Sequence, residues 1–284
     1  MIDGLNRRVH GPSPVQSGGE TNVRPRRPRT FVSPVARAGC LVSILLLIYP
    51  ISLRAQKTGS NVICREDLAA ERRNELASKL RKITGWPELK FDRSGILRLG
   101  SKEPVGGSKS ARELVAKVVY ASNVVVLEDA SKRSEVAFCR VIPGRWKEDA
   151  SGKPPAYVVQ IDFADFEQVI GDERALEAFD VGWGLLHELD HIVNDSEDAA
   201  SLGEAGDCED HINQMRRECD LPQRADYFFT FFPVVPDGSF VTRLVRLAFD
   251  QEQAPASKKK RYWVVWDARL VGGLDEQKQI AALR

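Results

Sequence analysis

Between residues 173 and 193 the chain runs without proline, and Leu176, Phe179, Trp183, Leu186 and Val193 recur at the spacing that lines one side of an α-helix. A single amphipathic helix is expected there. A second is expected over 202–218, with Cys208, Ile212, Met215 and Cys219 as its apolar stripe; Leu221-Pro222 closes it, since proline cannot continue a helix. Upstream, Leu68, Leu76 and Leu80 give helical spacing to 66–83, and 108–119 reads as another helix. The runs 124–127, 136–141 and 157–163 are rich in strand-forming residues and are separated by Ser, Lys, Gly and Pro clusters. They predict a small sheet ahead of the 173–193 helix, with a helical turn near 165–170. After the second helix the pattern turns β-like at 227–232, 240–249 and 262–270, the last two reading as a hairpin joined by the loop 251–260. The expected fold class is α+β, and no internal repeat is present.

The first 55 residues follow a different pattern. Residues 1–36 are rich in Pro, Arg, Gly and Ser without periodicity, and are expected to form a disordered leader or an over-extended start. Residues 38–53 are the only long apolar run; arginines at 24, 26, 27, 29 and 37 precede it and Arg54-Ala55-Gln56 follows. This is the layout of a secretory signal peptide, assigned to 37–55. Crossing a membrane takes about 20 apolar residues, and Pro50 interrupts this run, so a retained anchor is the alternative. Export to the medium, periplasm or cell surface is the expected destination, and no membrane contact is expected of 56–284 unless the anchor stays.

Charge narrows the partners. Of 41 basic and 40 acidic residues, eight and two precede residue 56, which leaves 33 against 38 and a net charge of −5 for a single domain over 56–284. A mildly acidic body gives no electrostatic reason to bind nucleic acid, and the basic cluster at 258–261 reads as a solvated loop. Cys64, Cys139, Cys208 and Cys219 allow two disulfides between distant segments, or unpaired buried thiols.

The chemistry concentrates in the long helix. The chain has four histidines, at 10, 187, 191 and 211, and two of them bracket a glutamate in His187-Glu-Leu-Asp-His191. Side chains four apart lie one above the other on a helix, so both imidazoles can bind one small cation with Glu188 beside it. This H-E-x-x-H pattern implies Zn²⁺ and a water that Glu188 deprotonates for attack on a polarised carbonyl. His187 and His191 are thus candidate ligands and Glu188 the candidate catalytic residue, while small Gly184 either leaves room for metal and substrate on the same side or allows close helix packing. A third ligand is needed. The second helix offers Glu204, Asp207, Glu209 and His211, and spacing does not choose among them; no histidine follows at the metzincin spacing. Asp190 falls inside the apolar stripe and needs a partner, for which Arg216 and Arg217 are candidates. Tyr227, Arg216 and His211 are candidates for stabilising an oxyanion.

Residues 179–224, with His187-Glu-Leu-Asp-His191 and then Glu209-Asp-His-Ile-Asn-Gln-Met-Arg-Arg-Glu-Cys-Asp-Leu-Pro-Gln-Arg224, resemble the zincin-type metallopeptidases with a glutamate third ligand. They are most similar to uncharacterised bacterial and toxin or effector-like members in which E-x-x-x-N-x-x-R-x-E-x-x-L-P-x-R follows the zinc helix. The resemblance implies a zincin-like fold, with a small sheet on the metal helix, a second ligand-bearing helix and C-terminal strands. It also implies Glu209 as third ligand, with Asn213 and Arg216 in support. The functional expectation is an exported zinc metallopeptidase acting on a peptide or protein substrate. A non-catalytic secreted binding protein with a structural or vestigial zinc site, closed by Cys208 or His211, and a cell-wall amidase are the alternatives.

Overall fold

The computed structural model describes residues 60–131, 133–144, 152–231, 243–253 and 258–272. The leader over 1–36 and the segment 37–55 lie outside these residues. Strand β1 (Val62–Cys64) leads into helix α1 (Ala70–Thr84), which turns Leu76, Leu80 and Ile83 inward and ends at Gly85 in the left-handed conformation. Only glycine fits there, since a Cβ would lie 2.4 Å from the Gly106 carbonyl oxygen. A short ribbon, β2 (Lys90–Phe91) and β3 (Leu97–Arg98), precedes α2 (Lys109–Tyr120). The Ser108 hydroxyl starts α2 by accepting the Ala111 N–H at 2.9 Å.

Three strands follow: β4 (Val124–Asp129), β5 (Cys139–Pro143) and β6 (Ala156–Ile161). With β1 they form a sheet of order β1-β4-β6-β5, in which β1, β4 and β6 are parallel and β5 is an antiparallel edge. Val125, Leu127, Val159 and Ile161 are buried, as alternation on a covered sheet face requires. Then come α3 (Phe163–Glu167), β7 (Ile170–Gly171), α4 (Glu173–Ala178), α5 (Val181–Asn194) and α6 (Gly206–Glu218). The chain closes with β8 (Gln223–Arg224), β9 (Thr230–Phe231), β10 (Leu244–Gln253) and β11 (Lys258–Asp267). These join β7 in an antiparallel sheet of order β7-β11-β10-β8, with β9 also paired to β10. The architecture is α+β. Helix α5 is its centre, packed on β5 and β6 and flanked by α1, α2 and α6, with Trp183, Leu185, Leu186 and Leu189 buried.

Several boundaries differ from the periodicity. The expected single helix over 173–193 is two, α4 and α5, because Phe179 and Asp180 leave helical geometry and the Asp180 carboxylate caps the N–H groups of Gly182 and Trp183 at 2.9 and 3.3 Å. The second helix begins at Gly206 instead of 202. A Cβ there would lie 2.4 Å from the Ala199 nitrogen, so the incoming loop presses against its first turn. The hairpin arms reach further toward the turn than expected, pairing from Leu244 with Asp267 to Gln253 with Lys258, so the connecting loop is shorter than 251–260 and the basic cluster at 258–261 lies on β11 instead of in a loop. Strand β1 is too short and too polar in its surroundings to show as a pattern. All four cysteines in the described residues are free thiols, so the two disulfides allowed by the count do not form.

Candidate metal centre

His187 and His191 stand on successive turns of α5 with their rings nearly perpendicular, and their Nε2 atoms are 3.2 Å apart. A carboxylate meets both: Asp198 Oδ1 lies 3.0 Å from His187 Nε2 and 3.4 Å from His191 Nε2. Tetrahedral ligands at about 2.0–2.1 Å from Zn²⁺ sit about 3.3 Å from one another. The three donor atoms form a triangle with edges close to that length, so their spacing fits a zinc ion or a cation of similar size. The second carboxylate oxygen of Asp198 accepts the Tyr227 hydroxyl at 2.7 Å, and the Tyr227 ring lies nearly parallel to that of His187.

Asp198 arrives there because the end of α5 turns sharply. Asp195 takes a left-handed conformation, φ 53°, just past the last helical residue. Buried Asp190 then draws the loop in, accepting hydrogen bonds from the Asn194 amide and, at 2.7 Å, the Ser196 hydroxyl. The Ser196 carbonyl in turn accepts the His191 Nδ1 proton at 2.8 Å, which aims Nε2 at the centre. The remaining partner of Asp190 is His211 Nδ1 at 2.8 Å; neither Arg216 nor Arg217 fills the place foreseen for them. His211 is committed to that pair, away from the donor triangle.

Glu209 occupies a different position in the same network. Its carboxylate is buried, 3.5 Å from His187 Nδ1, the ring nitrogen that does not face His191. Arg216 and, at 3.1 Å, Arg224 neutralise it. Arg216 is itself buried over the rings of Trp183 and Phe249, and donates to the Ala178 carbonyl at 3.0 Å and to Asn213 at 2.9 Å. The quartet Glu209, Asn213, Arg216 and Arg224 thus orients His187 from behind. Glu204 and Asp207 are exposed. Cys208 joins the cluster, its thiol 3.3 Å from His187 Nδ1 and 3.4 Å from the His187 carbonyl. Asp198, which sequence reading missed, had one available signal: three acids, Asp195, Glu197 and Asp198, directly after the H-E-x-x-H helix.

The electrostatics favour positive charge at the centre of these groups. Burial would raise the Asp198 carboxyl, yet hydrogen bonds to both imidazoles hold it far below the ordinary range. Hydrogen bonding to Asp198 and Cys208 lifts His191 to about 11, and His187 rises as well although burial opposes it. Glu209 is buried but kept strongly acidic by Arg216 and Arg224. Burial pushes Glu188 above its usual value while the two imidazoles pull it down; the Val141 N–H on β5 donates to it. A cavity of about 110 Å³ opens beside His187 and Glu188 and runs over Gly184 between aromatic side chains.

Comparison of the chain with protein-family models, with curated proteins and with solved structures finds no match.

Proposed function

We propose that this protein is a zinc-dependent hydrolase, a metallopeptidase of zincin-like architecture, in which His187, His191 and Asp198 hold the ion and Glu209 orients His187. The observation that carries the reading is the triangle of donor atoms, 3.0, 3.2 and 3.4 Å on its edges. Three protein ligands with a fourth place open are the mark of a catalytic site in place of a closed structural one. Bound there, the ion supplies Lewis acidity, acidifying water and polarising a carbonyl. Glu188, one residue beyond His187 on the same helix, accepts a proton from attacking water and returns it to the leaving amine. A peptide substrate is favoured because, among the described residues, β5 is an edge strand of its sheet beside Glu188, where an extended chain can lie along it. Export rests on the 37–55 segment, and is tested by whether the secreted chain begins near residue 56.

The full chain, purified and dialysed against trace zinc, should hold one equivalent of metal and cleave unstructured peptides. In Glu188→Ala the metal should stay and cleavage should fall at least about 100-fold, the size of a lost proton-transfer group. A folded protein that takes up no zinc at neutral pH contradicts the reading. Cys208 supports a second reading, a closed structural site with a sulfur ligand. Its thiol lies 3.3 Å from His187 Nδ1, the ring nitrogen that does not face His191, which favours the open site.

A further inference from the structure

The cavity beside the donor triangle combines aromatic walls with the site's own polar groups. Phe138, Phe166, Phe179, Phe229 and Trp266 surround it, and Gly184 forms its floor. Phe138 meets Phe166 and Phe179 at 5.1 Å and Trp266 at 5.2 Å between ring centroids. Its backbone sits at φ 61°, a costly conformation for a bulky residue, and is held there by the Asp165 carboxylate, which accepts its N–H at 2.9 Å. A Cβ at position 184 would lie 2.8 Å from Phe166 Cζ and 3.0 Å from Cys139 Sγ, so both side chains pack directly on this glycine and a larger residue would displace the Phe166 ring that lines the cavity. Trp266 carries a buried indole N–H without a hydrogen-bond partner among the described residues. The charges at the rim are spent on each other, Arg224 on Glu209 at 3.1 Å.

We infer that this cavity is the specificity pocket of the enzyme and that it takes one benzyl-sized side chain, Phe, Tyr or Leu, from a residue flanking the cleaved bond. The inference rests on the hydrolase reading, since the cavity shares His187 and Glu188 with that centre. Size sets the upper limit. An enclosed apolar cavity of about 150 Å³ holds benzene; this one, at about 110 Å³, is smaller but open at its mouth, so a single ring enters with its outer part in the mouth and an indole does not fit. Charged side chains are disfavoured because Arg224 and Glu209 in the lining are already paired with each other and the aromatic rings offset little of the desolvation of a further charge. A single such pocket selects on one side of the cut only.

The test is digestion of an unbiased synthetic peptide mixture by the zinc-loaded full chain, read by mass spectrometry, with Glu188→Ala as the blank. Phe, Tyr and Leu should be enriched at least tenfold over Asp, Glu, Lys, Arg and Trp at one of the two positions flanking the cut. Gly184→Ala should lower cleavage at Phe and Tyr at least tenfold relative to Ala and Val, while Phe166→Leu should admit Trp; both should keep one equivalent of zinc. Cleavage without preference, or the same preference in both variants, overturns the inference and leaves the hydrolase standing. If no peptide is cut, the hydrolase reading fails and the pocket is judged by binding. N-acetylphenylalanine amide should then bind at least tenfold tighter than N-acetylalanine amide and lose that margin in Gly184→Ala; equal affinities overturn the pocket too.

Discussion

At the scale of single residues, two carboxylates divide the work around His187. Asp198 faces Nε2 and Glu209 faces Nδ1, at 3.0 and 3.5 Å. Their substitutions should differ in degree. Asp198→Ala removes a ligand and should weaken zinc binding well over 100-fold, whereas Glu209→Gln removes an orienting charge, which costs about 10–100-fold. Competition with a calibrated chelator reads both; the reverse order would make Glu209 the ligand. The placing of His187, Glu188 and His191 together on one helix was legible because it depends only on helical spacing, a local property. Asp198 was not, because its position depends on Asp190 and Ser196 pulling a loop across the helix end, and nothing in the loop's own composition states where it goes.

At the scale of elements, α5 starts at Asp180, and that start decides where the histidines point. The Asp180 carboxylate caps two N–H groups and pairs with Lys79 at 2.9 Å. Asp180→Ala should cost about 1–2 kcal/mol in urea unfolding, the range of a lost cap; an unchanged midpoint would show that the helix start is held by packing alone. Apolar periodicity runs through 173–193 without a gap, which is why the break between α4 and α5 stayed hidden: a cap is a side-chain geometry and leaves the stripe intact. Helix α3 carries a pH response. Burial lifts Asp165 to about 7, against about 4 in an unfolded chain. The folded state therefore holds a proton that the unfolded state gives up, and wild type should lose stability as pH rises from about 4 to about 7. Asp165→Asn cannot ionise and should lack that loss, gaining on wild type across the same window. A stability difference that does not change with pH would contradict the assignment.

At the scale of the whole molecule, the α+β class and most helices and strands were legible, since patterns of period two and three to four persist wherever one face is buried. The make-up of the C-terminal sheet was not, because strands such as β7 and β8 are two residues long and owe their existence to β10 and β11. The centre joins α5 to the loop after it, with Tyr227 and α6 in support, so metal binding should stabilise the fold. A ligand at 1,000 times its Kd adds about 4 kcal/mol; zinc should raise the melting temperature by several degrees and a chelator should reverse it, an effect absent in a His187→Ala, His191→Ala double variant.

X-ray absorption at the zinc edge of the zinc-loaded full chain tests the centre most directly. The proposed site predicts nitrogen and oxygen donors alone at about 2.0–2.2 Å, two of them imidazoles. A sulfur at about 2.3 Å would close the site through Cys208 and contradict the hydrolytic account.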